Sequence, residues 1–306
     1  MCGSKKFTFL YKALDRMLGL SGEFFLKKCN ECSLAFLDPQ PSEISLKKYY
    51  PSKKYYAYNR NDKKGFFEIL REYLVENYYS PTFLSKIITL FIKNVPAMPS
   101  YCQGGKILDL GCGTGDTLVL LKKLGWDVYG MDMDENAIAT AKKRGLNNLK
   151  LGTYNSLDEY QDNYFDAVRL YHVIEHLDNP ALCLNLIKKK LKKGGELIMG
   201  TPNMESLVSK IFKPYWYNLD SPRHLFIFSP RTLKRLVEKN GYFVKKIEFC
   251  SAGGIAGSLQ YFLNDIFDKK IDLIHKFSVI ILFYPLEWIL DKFHLGDVFT
   301  LKATKV

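Results

Sequence analysis

Gly111, Gly113 and Gly115 alternate along the chain directly after a short apolar run at residues 106–110. Glycine permits the tight turns that bring a backbone close to a ligand. A helix predicted over residues 116–125 would present its unpaired N–H groups at the same point. A glycine-rich turn between the first strand and its helix is the usual place for a nucleotide-type ligand in an α/β sheet. The sequence therefore predicts such a ligand at this turn.

The surrounding carboxylates indicate which ligand this is. Asp132 ends the next predicted strand, roughly 20 residues after Gly111, which is the typical interval for a carboxylate that binds a ribose diol. The pattern is Gly-x-Gly-x-Gly, whereas pyrophosphate binders typically show Gly-x-Gly-x-x-Gly. Asp109 adds a negative charge that would repel a pyrophosphate and suit a cationic amino acid group. These features favour S-adenosylmethionine (SAM) over a dinucleotide.

Strands and helices alternate around this turn. The predicted helices after residues 116–125 cover residues 135–144, 180–190 and 231–239, and the predicted strands cover residues 106–110, 127–131, 149–153, 165–170, 195–200, 242–249 and 298–306. Repeated βα units of this length require a parallel sheet with right-handed crossovers. The expected fold class is therefore α/β.

In their order, the motifs resemble those of the class I SAM-dependent methyltransferases over about residues 104–241. The matching segments are residues 109–115, 128–134, 165–168, 172–177 and 191–197. The resemblance implies a Rossmann-like sheet of seven mostly parallel strands, with residues 242–249 and 298–306 as an antiparallel ending at one edge. It also implies SAM as cofactor and transfer of its methyl group to a nucleophile.

The same resemblance assigns the cofactor contacts. Asp109 and the three glycines would line the methionine end of SAM, Asp132 would hold the ribose hydroxyls, and Met133 would lie against the adenine. In place of the acidic residue that often follows the third strand in this family, the chain has Tyr154 and Asn155. The predicted cofactor-binding residues are Asp109, Gly111, Gly113, Gly115, Asp132, Met133, Tyr154, Asn155 and His172.

Two histidines are candidates for a general base. His172, Glu175 and His176 follow the fourth predicted strand, and His224 lies in a loop after the fifth, where open sheets hold their substrates. A neutral imidazole can take a proton from a hydroxyl acceptor near neutral pH. We predict His176 or His224 in this role, with a structural role as the alternative. The His-x-x-Glu-His spacing resembles an inverted zinc-protease motif, but it follows a strand, so we predict no metal.

The N-terminal part carries Cys2, Cys29 and Cys32. Together with residues 215–226, it resembles a methyltransferase subgroup that acts on sugar, lipid-linked or polyketide-like acceptors. A structural zinc site needs four ligands, and one cysteine of the first pair is absent, so we predict free thiols. The predicted domains are a degenerate zinc-ribbon-like segment at 1–60, a helical lid at 61–100, and a SAM-binding domain at 101–306 with a helical insertion at about 257–293.

The net charge of +12 indicates acidic partners. The lysine run at residues 188–193 is typical of a solvated helix end, so we expect no nucleic-acid partner there. Apolar helices at 66–93 and 261–293 also carry lysines, which indicates either a lid or peripheral contact with an anionic membrane. Without a leader or an apolar stretch of about 20 residues, the chain is expected to be cytoplasmic.

The expected function is SAM-dependent methylation, on oxygen, of a small-molecule, sugar or lipid-linked acceptor. One alternative is a tRNA or rRNA methyltransferase. The sequence Leu170-Tyr171-His172 argues against it, because it offers no Asn-Pro-Pro-Tyr-like clamp for a nucleobase. Another is a SAM-fold binding protein without catalysis, against which stand the intact glycine turn and Asp132.

Overall fold

A computed structural model describes residues 2–51, 66–91, 97–100, 104–251 and 253–306. The strands are β1 (Phe7–Ala13), β2 (Phe24–Cys29), β3 (Ala35–Asp38), β4 (Lys106–Leu110), β5 (Asp127–Asp132), β6 (Asn148–Leu151), β7 (Phe165–Tyr171), β8 (Leu191–Pro202), β9 (Phe226–Ile227), β10 (Tyr242–Phe249) and β11 (Val298–Lys305). The helices are α1 (Glu43–Lys47), α2 (Phe66–Glu76), α3 (Phe83–Phe91), α4 (Asp116–Lys123), α5 (Glu135–Lys143), α6 (Pro180–Lys190), α7 (Leu207–Phe212), α8 (Pro230–Lys239), α9 (Gly254–Phe267) and α10 (Phe277–Lys292).

Seven strands form the central sheet in the order β10-β11-β8-β7-β4-β5-β6. The strands from β8 to β6 run parallel to their neighbours. β11 inserts antiparallel between β8 and β10. This is the class I methyltransferase arrangement, and it confirms the predicted α/β fold and the antiparallel ending. Because the parallel strands share a direction, the loops after β4, β5, β7 and β8 meet at one edge.

Both faces of this sheet are covered, and the alternation of side chains along a strand decides which face each residue joins. Leu108 packs in a core with residues of α6 and α8 such as Leu184 and Leu233. Ile107, its neighbour on β4, packs on the other side with Leu118 of α4 and Ile138 of α5. The sheet is therefore fixed from both sides, and its loop edge is a rigid platform.

A second sheet is antiparallel and has the order β1-β2-β3-β9. Its apolar side packs on a third core with helices α7, α9 and α10, where Trp216 is fully buried beside Leu26 and Leu37. β9 follows the loop that carries His224, yet it extends the N-terminal sheet. The predicted division at residues 60 and 100 stays a prediction.

Several predicted boundaries were wrong. β8 begins at Leu191 and not at residue 195, because Leu191 pairs with Phe165 of β7. Lys190 is buried and lies 2.7 Å from Asp162, so the lysine run is only partly a solvated helix end. α3 begins after Thr82, whose hydroxyl accepts from the Ser85 amide at 3.2 Å. The predicted end of that helix at residue 93 lies outside the described residues.

Candidate functional site

The glycine turn after β4 requires its glycines. All three have positive φ, at 75° for Gly111, 52° for Gly113 and 77° for Gly115, which is the region that side chains disfavour. A Cβ on Gly111 would also collide with the side chain of Val173, in the turn after β7. The Gly111 amide donates to the Met131 carbonyl at 2.7 Å. The turn is thus fixed between the ends of β5 and β7.

Asp132 closes this turn from the end of β5. One carboxylate oxygen accepts from the Gly113 amide at 2.8 Å and the other from the Asp134 amide at 2.9 Å. Burial raises the pKa of this carboxyl group. Met133 follows and is 54% exposed, so an apolar side chain borders the carboxylate on the open side. A carboxylate beside an exposed apolar side chain suits a ribose and the base attached to it.

Asp109 lies beneath the turn and has a partner that the sequence analysis missed. Both of its carboxylate oxygens accept from Nη1 of Arg169, at 2.8 and 2.9 Å, and both residues are buried. The two positions are direct neighbours on β4 and β7. The Asp109 charge is therefore compensated within the sheet. An arginine inside the apolar run of β7 was the signal that could have revealed this pair.

The remaining predicted cofactor residues lie on neighbouring loops. Tyr154 is buried and its hydroxyl donates to Asp178 at 2.7 Å, whereas Asn155 is exposed. His172 has a positive φ of 55°, and its Nδ1 lies 3.2 Å from Oε1 of Glu175. These side chains surround the same sheet edge as Asp132, and of them Asn155 is the most open to solvent.

Glu175, His176 and His224 form one cluster, and Val173, just before Glu175 in the chain, lies against Gly111 of the glycine turn. Oε1 of Glu175 lies 3.9 Å from Nε2 of His224, and the two imidazole ring centres are 4.6 Å apart. Nδ1 of His224 lies 3.0 Å from the Asn218 carbonyl. Because a carbonyl oxygen only accepts hydrogen bonds, Nδ1 carries the proton in the neutral imidazole and Nε2 carries the lone pair. Glu175 is 1% exposed, and its Oε2 has no hydrogen-bond partner among the described residues.

The electrostatics of the cluster favour neutral imidazoles and an ionised carboxylate. Burial and the neighbouring His176 lower the pKa of His224 to about 4, and burial also lowers the pKa of His176. Burial alone would raise the pKa of Glu175, but its hydrogen bond with His172 lowers it. At neutral pH the cluster can accept a proton.

The loop that carries His224 is held by buried charges. Nη2 of Arg223 lies 2.8 Å from Asp15 and 2.6 Å from Asp220, and the Arg223 and Asp15 side chains are fully buried. Nδ1 of His176 lies 3.0 Å from the Arg223 carbonyl and 2.9 Å from the Tyr50 hydroxyl. The N-terminal segment thus forms part of the site, which the sequence analysis did not predict.

Two groups of side chains have the geometry to hold a cation. The ligand atoms of Glu175, His176 and His224 lie within 4.8 Å of one another, as do the thiols of Cys2, Cys29 and Cys32. No fourth ligand joins the three thiols within the part of the chain that the structure describes. The expectations of free thiols and of no metal at the histidines stay predictions.

Comparison with known proteins identifies the family. A model of the methyltransferase domain matches residues 82–247, more than half of the chain. The chain therefore belongs to this methyltransferase family, and its seven-stranded sheet has the class I fold. The glycine turn without Cβ atoms, the Asp132 carboxylate and the exposed Met133 fit SAM as its cofactor.

Individual relatives match only part of the chain. It is 32% identical over 116 residues to the mitochondrial ubiquinone biosynthesis O-methyltransferase of Dictyostelium discoideum, covering 33% of this chain and 36% of the relative. It is 36% identical over 98 residues to the ribosomal protein L11 methyltransferase of Paraburkholderia xenovorans, covering 31% of each. The chain thus spans about a third of the length of these relatives. The [4+2]-cyclase SpnF shares the fold, with a TM-score of 0.50, 17% identity, and coverage of 87% of this chain and 98% of SpnF.

Proposed function

We propose that the protein methylates a hydroxyl group of a small-molecule, sugar or lipid-linked acceptor. The observation that carries this proposal is the cluster of Glu175, His176 and His224, which follows the turn where Val173 lies against Gly111. A hydroxyl is a weak nucleophile unless a nearby base removes its proton, and neutral imidazoles supply that base. The partial match to relatives named as ubiquinone O-methyltransferases supports an oxygen acceptor.

Different residues of the site serve cofactor binding and proton transfer. SAM, when bound, supplies a methyl group already activated by its sulfonium, so alignment with the acceptor contributes much of the rate. We assign the glycine turn, Asp132 and Met133 to cofactor binding. His176 is only partly buried, whereas His224 is 5% exposed. We therefore place His176 against the acceptor hydroxyl, with His224 as either the second base or the group that positions His176.

Protonation of either imidazole is favoured by the carboxylates behind it. Nε2 of His224 lies 3.9 Å from oxygens of both Glu175 and Asp220. Opposite charges at this distance stabilise the imidazolium that forms as the hydroxyl loses its proton. The carboxylates thereby offset part of the desolvation cost of protonation, which keeps both histidines neutral before the reaction.

The test replaces each histidine by alanine. We expect His176→Ala and His224→Ala to lower turnover about 10²–10⁴-fold, with the SAM dissociation constant nearly unchanged because neither side chain belongs to the glycine turn. The pH dependence of kcat should lose its acid inflection in the variant that removes the base. His275→Ala is the matched control, since His275 is exposed and pairs with Asp272.

Labelled SAM supplied to fractionated lipids, glycans and RNA identifies the acceptor needed for these assays. Label in the RNA fraction alone would favour a tRNA or rRNA methyltransferase. SAM binding by calorimetry without transfer to any fraction would favour a binding protein without catalysis. Near-wild-type turnover in both histidine variants, on the true acceptor, would contradict the assignment of the base.

A further inference from the structure

Helix α10 points its acidic side chains inward. Glu287 and Asp291 are its only acidic residues, and both are buried. The Glu287 carboxylate accepts from the amides of Gly253 and Ile255, at 2.9 and 3.0 Å, at the start of α9. Asp291 accepts from the amide of Ser251 at 2.9 Å. The packed side of α10 therefore holds both carboxylates, next to Leu290 of the third core.

The outward side of α10 is apolar. Its exposed apolar residues include Ile281, Leu282, Leu286 and Ile289, followed by Phe293 directly after the helix, and each of these is between 44% and 72% exposed. A helix on a water-facing surface normally has the opposite orientation, with its apolar stripe toward the core. Exposure of this side of α10 to water is therefore energetically unfavourable.

Two further helices extend the same apolar surface. The Trp288 indole donates to the Leu90 carbonyl at 2.9 Å, which joins α10 to α3, and α10 also packs on α9. We define the apolar face as these exposed residues: Phe83, Leu84, Ile87, Leu90, Phe262, Ile266, Phe267, Ile281, Leu282, Leu286, Ile289 and Phe293. Many exposed apolar side chains on helices that contact one another mark an interaction site.

The charges on the same helices favour one occupant. Exposed lysines lie on α3 and at the ends of α9 and α10, namely Lys86, Lys269, Lys270, Lys276 and Lys292. Three exposed carboxylates, Asp265, Asp268 and Asp272, lie near these lysines, and Asp265 is already paired with Arg16. The lysines therefore outnumber the carboxylates. A second copy of this chain would bring lysines against lysines, whereas an anionic lipid surface complements them.

We propose that the apolar face lies on the surface of an anionic lipid bilayer, with α3, α9 and α10 at the level of the headgroups. Helices that combine a wide apolar side with flanking lysines bind in this way. Among the described residues, no helix has the length and apolar character needed to cross the bilayer. The contact is therefore peripheral.

The apolar face also lies one helix away from the catalytic cluster. The Tyr217 amide donates to Ser258 of α9 at 2.9 Å, and Tyr217 stacks near Tyr261 at 5.5 Å between ring centres. Tyr217 belongs to the loop that positions His224. A bilayer against α9 would thus present lipid-linked acceptors beside the site. This last step rests on the proposed function, whereas the lipid contact does not.

Vesicle flotation tests the lipid contact without SAM or acceptor. We expect the wild-type protein to float with phosphatidylcholine vesicles that contain roughly 30% phosphatidylserine. Binding should fall at least about tenfold in 1 M salt, where charges are screened beyond about 3 Å. Vesicles of phosphatidylcholine alone should bind markedly less protein.

Matched variants separate the apolar and the electrostatic contributions. Leu282→Asp with Leu286→Asp should lower the bound fraction at least about tenfold, and Leu151→Asp, at an exposed position of β6, should not. Lys269→Glu with Lys270→Glu should also lower binding about tenfold, and Lys142→Glu with Lys143→Glu, exposed on α5, should lower it less. Unchanged SAM affinity verifies that each variant is folded.

Absence of flotation by the wild type would overturn the proposal. A dimer that dissociates in the Leu282→Asp variant, with no flotation, would assign the apolar face to a second copy instead. Equal binding to neutral and acidic vesicles would overturn the anionic specificity. Flotation by a protein that transfers no methyl group to any lipid would contradict the lipid-linked acceptor and leave the membrane contact supported.

Discussion

At the level of single residues, Asp132 joins the cofactor site to the glycine turn. Because its carboxylate accepts from the Gly113 amide, its removal both takes away the proposed ribose partner and leaves a turn amide without its acceptor. We expect Asp132→Ala to weaken SAM binding by about 1–3 kcal/mol, measured by isothermal titration. The control is Asp158→Ala, because that side chain is 71% exposed. Equal affinities in the two variants would remove Asp132 from the site.

A second prediction at this scale concerns acid sensitivity. The pKa of His224 is about 4 in the folded chain and about 6.5 when unfolded, so the unfolded chain binds more protons between these values. The stability that neutral His224 contributes is complete above pH 6.5 and is lost as the pH falls toward 4.

The measurement compares wild type with His224→Asn in urea. From pH 7.5 to pH 5, the unfolding free energy of wild type should fall by about 2 kcal/mol relative to the variant. The difference in unfolding free energy between wild type and variant cancels the contribution of other titrating groups. One of these is Asp297, whose pKa is raised to about 7 by burial. A constant difference across this range would mean that His224 is not held in its neutral form.

Residue types and spacing predicted Asp132 and the three glycines, because their function depends on local turns and strand ends. They did not predict the partners of buried charges. Arg169 lies 60 positions from Asp109 and Arg223 lies 208 from Asp15. Such pairs depend on which strands become neighbours, and nothing local in the sequence specifies that.

At the level of elements, local patterns located the βα units well and their ends less well. α6 and β10 begin and end where predicted, since caps or turns bound them. β8 begins four residues early because Leu191 joins the sheet only through its pairing with Phe165. The short β9 was not predicted at all, since two residues carry no periodic pattern.

Glu287 shows how one helix holds another. Its carboxylate accepts from two amides at the start of α9, where helices have N–H groups without internal partners. We expect Glu287→Ala to lower the free energy of unfolding by about 1–3 kcal/mol per amide left without an acceptor. Glu287→Gln, which keeps one acceptor oxygen, should cost less. Denaturation in urea measures both, with the exposed Glu238→Ala as control; equal stability of all variants would contradict this role.

At the level of the whole molecule, Arg223 connects the N-terminal segment to the loop that carries His224. Removing a buried partner leaves charges uncompensated, so Arg223→Met should destabilise the protein by about 3–5 kcal/mol. Asp15 and Asp220 would then lie buried without their cation. Arg231→Met, at the exposed start of α8, is the matched control. Comparable midpoints for the two variants in urea denaturation would show that the N-terminal segment is held by other contacts.

The pairing of β3 with β9, Ala35 opposite Ile227, has a consequence for how such genes can be recombined. A recombination event that replaced only residues 82–247 would separate Arg223 from Asp15 of the same chain. It would also separate His176 from Tyr50. Chimaeras that exchange the N-terminal sheet and the 213–227 loop together should therefore retain activity more often than those that exchange either alone. The N-terminal sheet and the 213–227 loop, although distant in sequence, would therefore have to be inherited together.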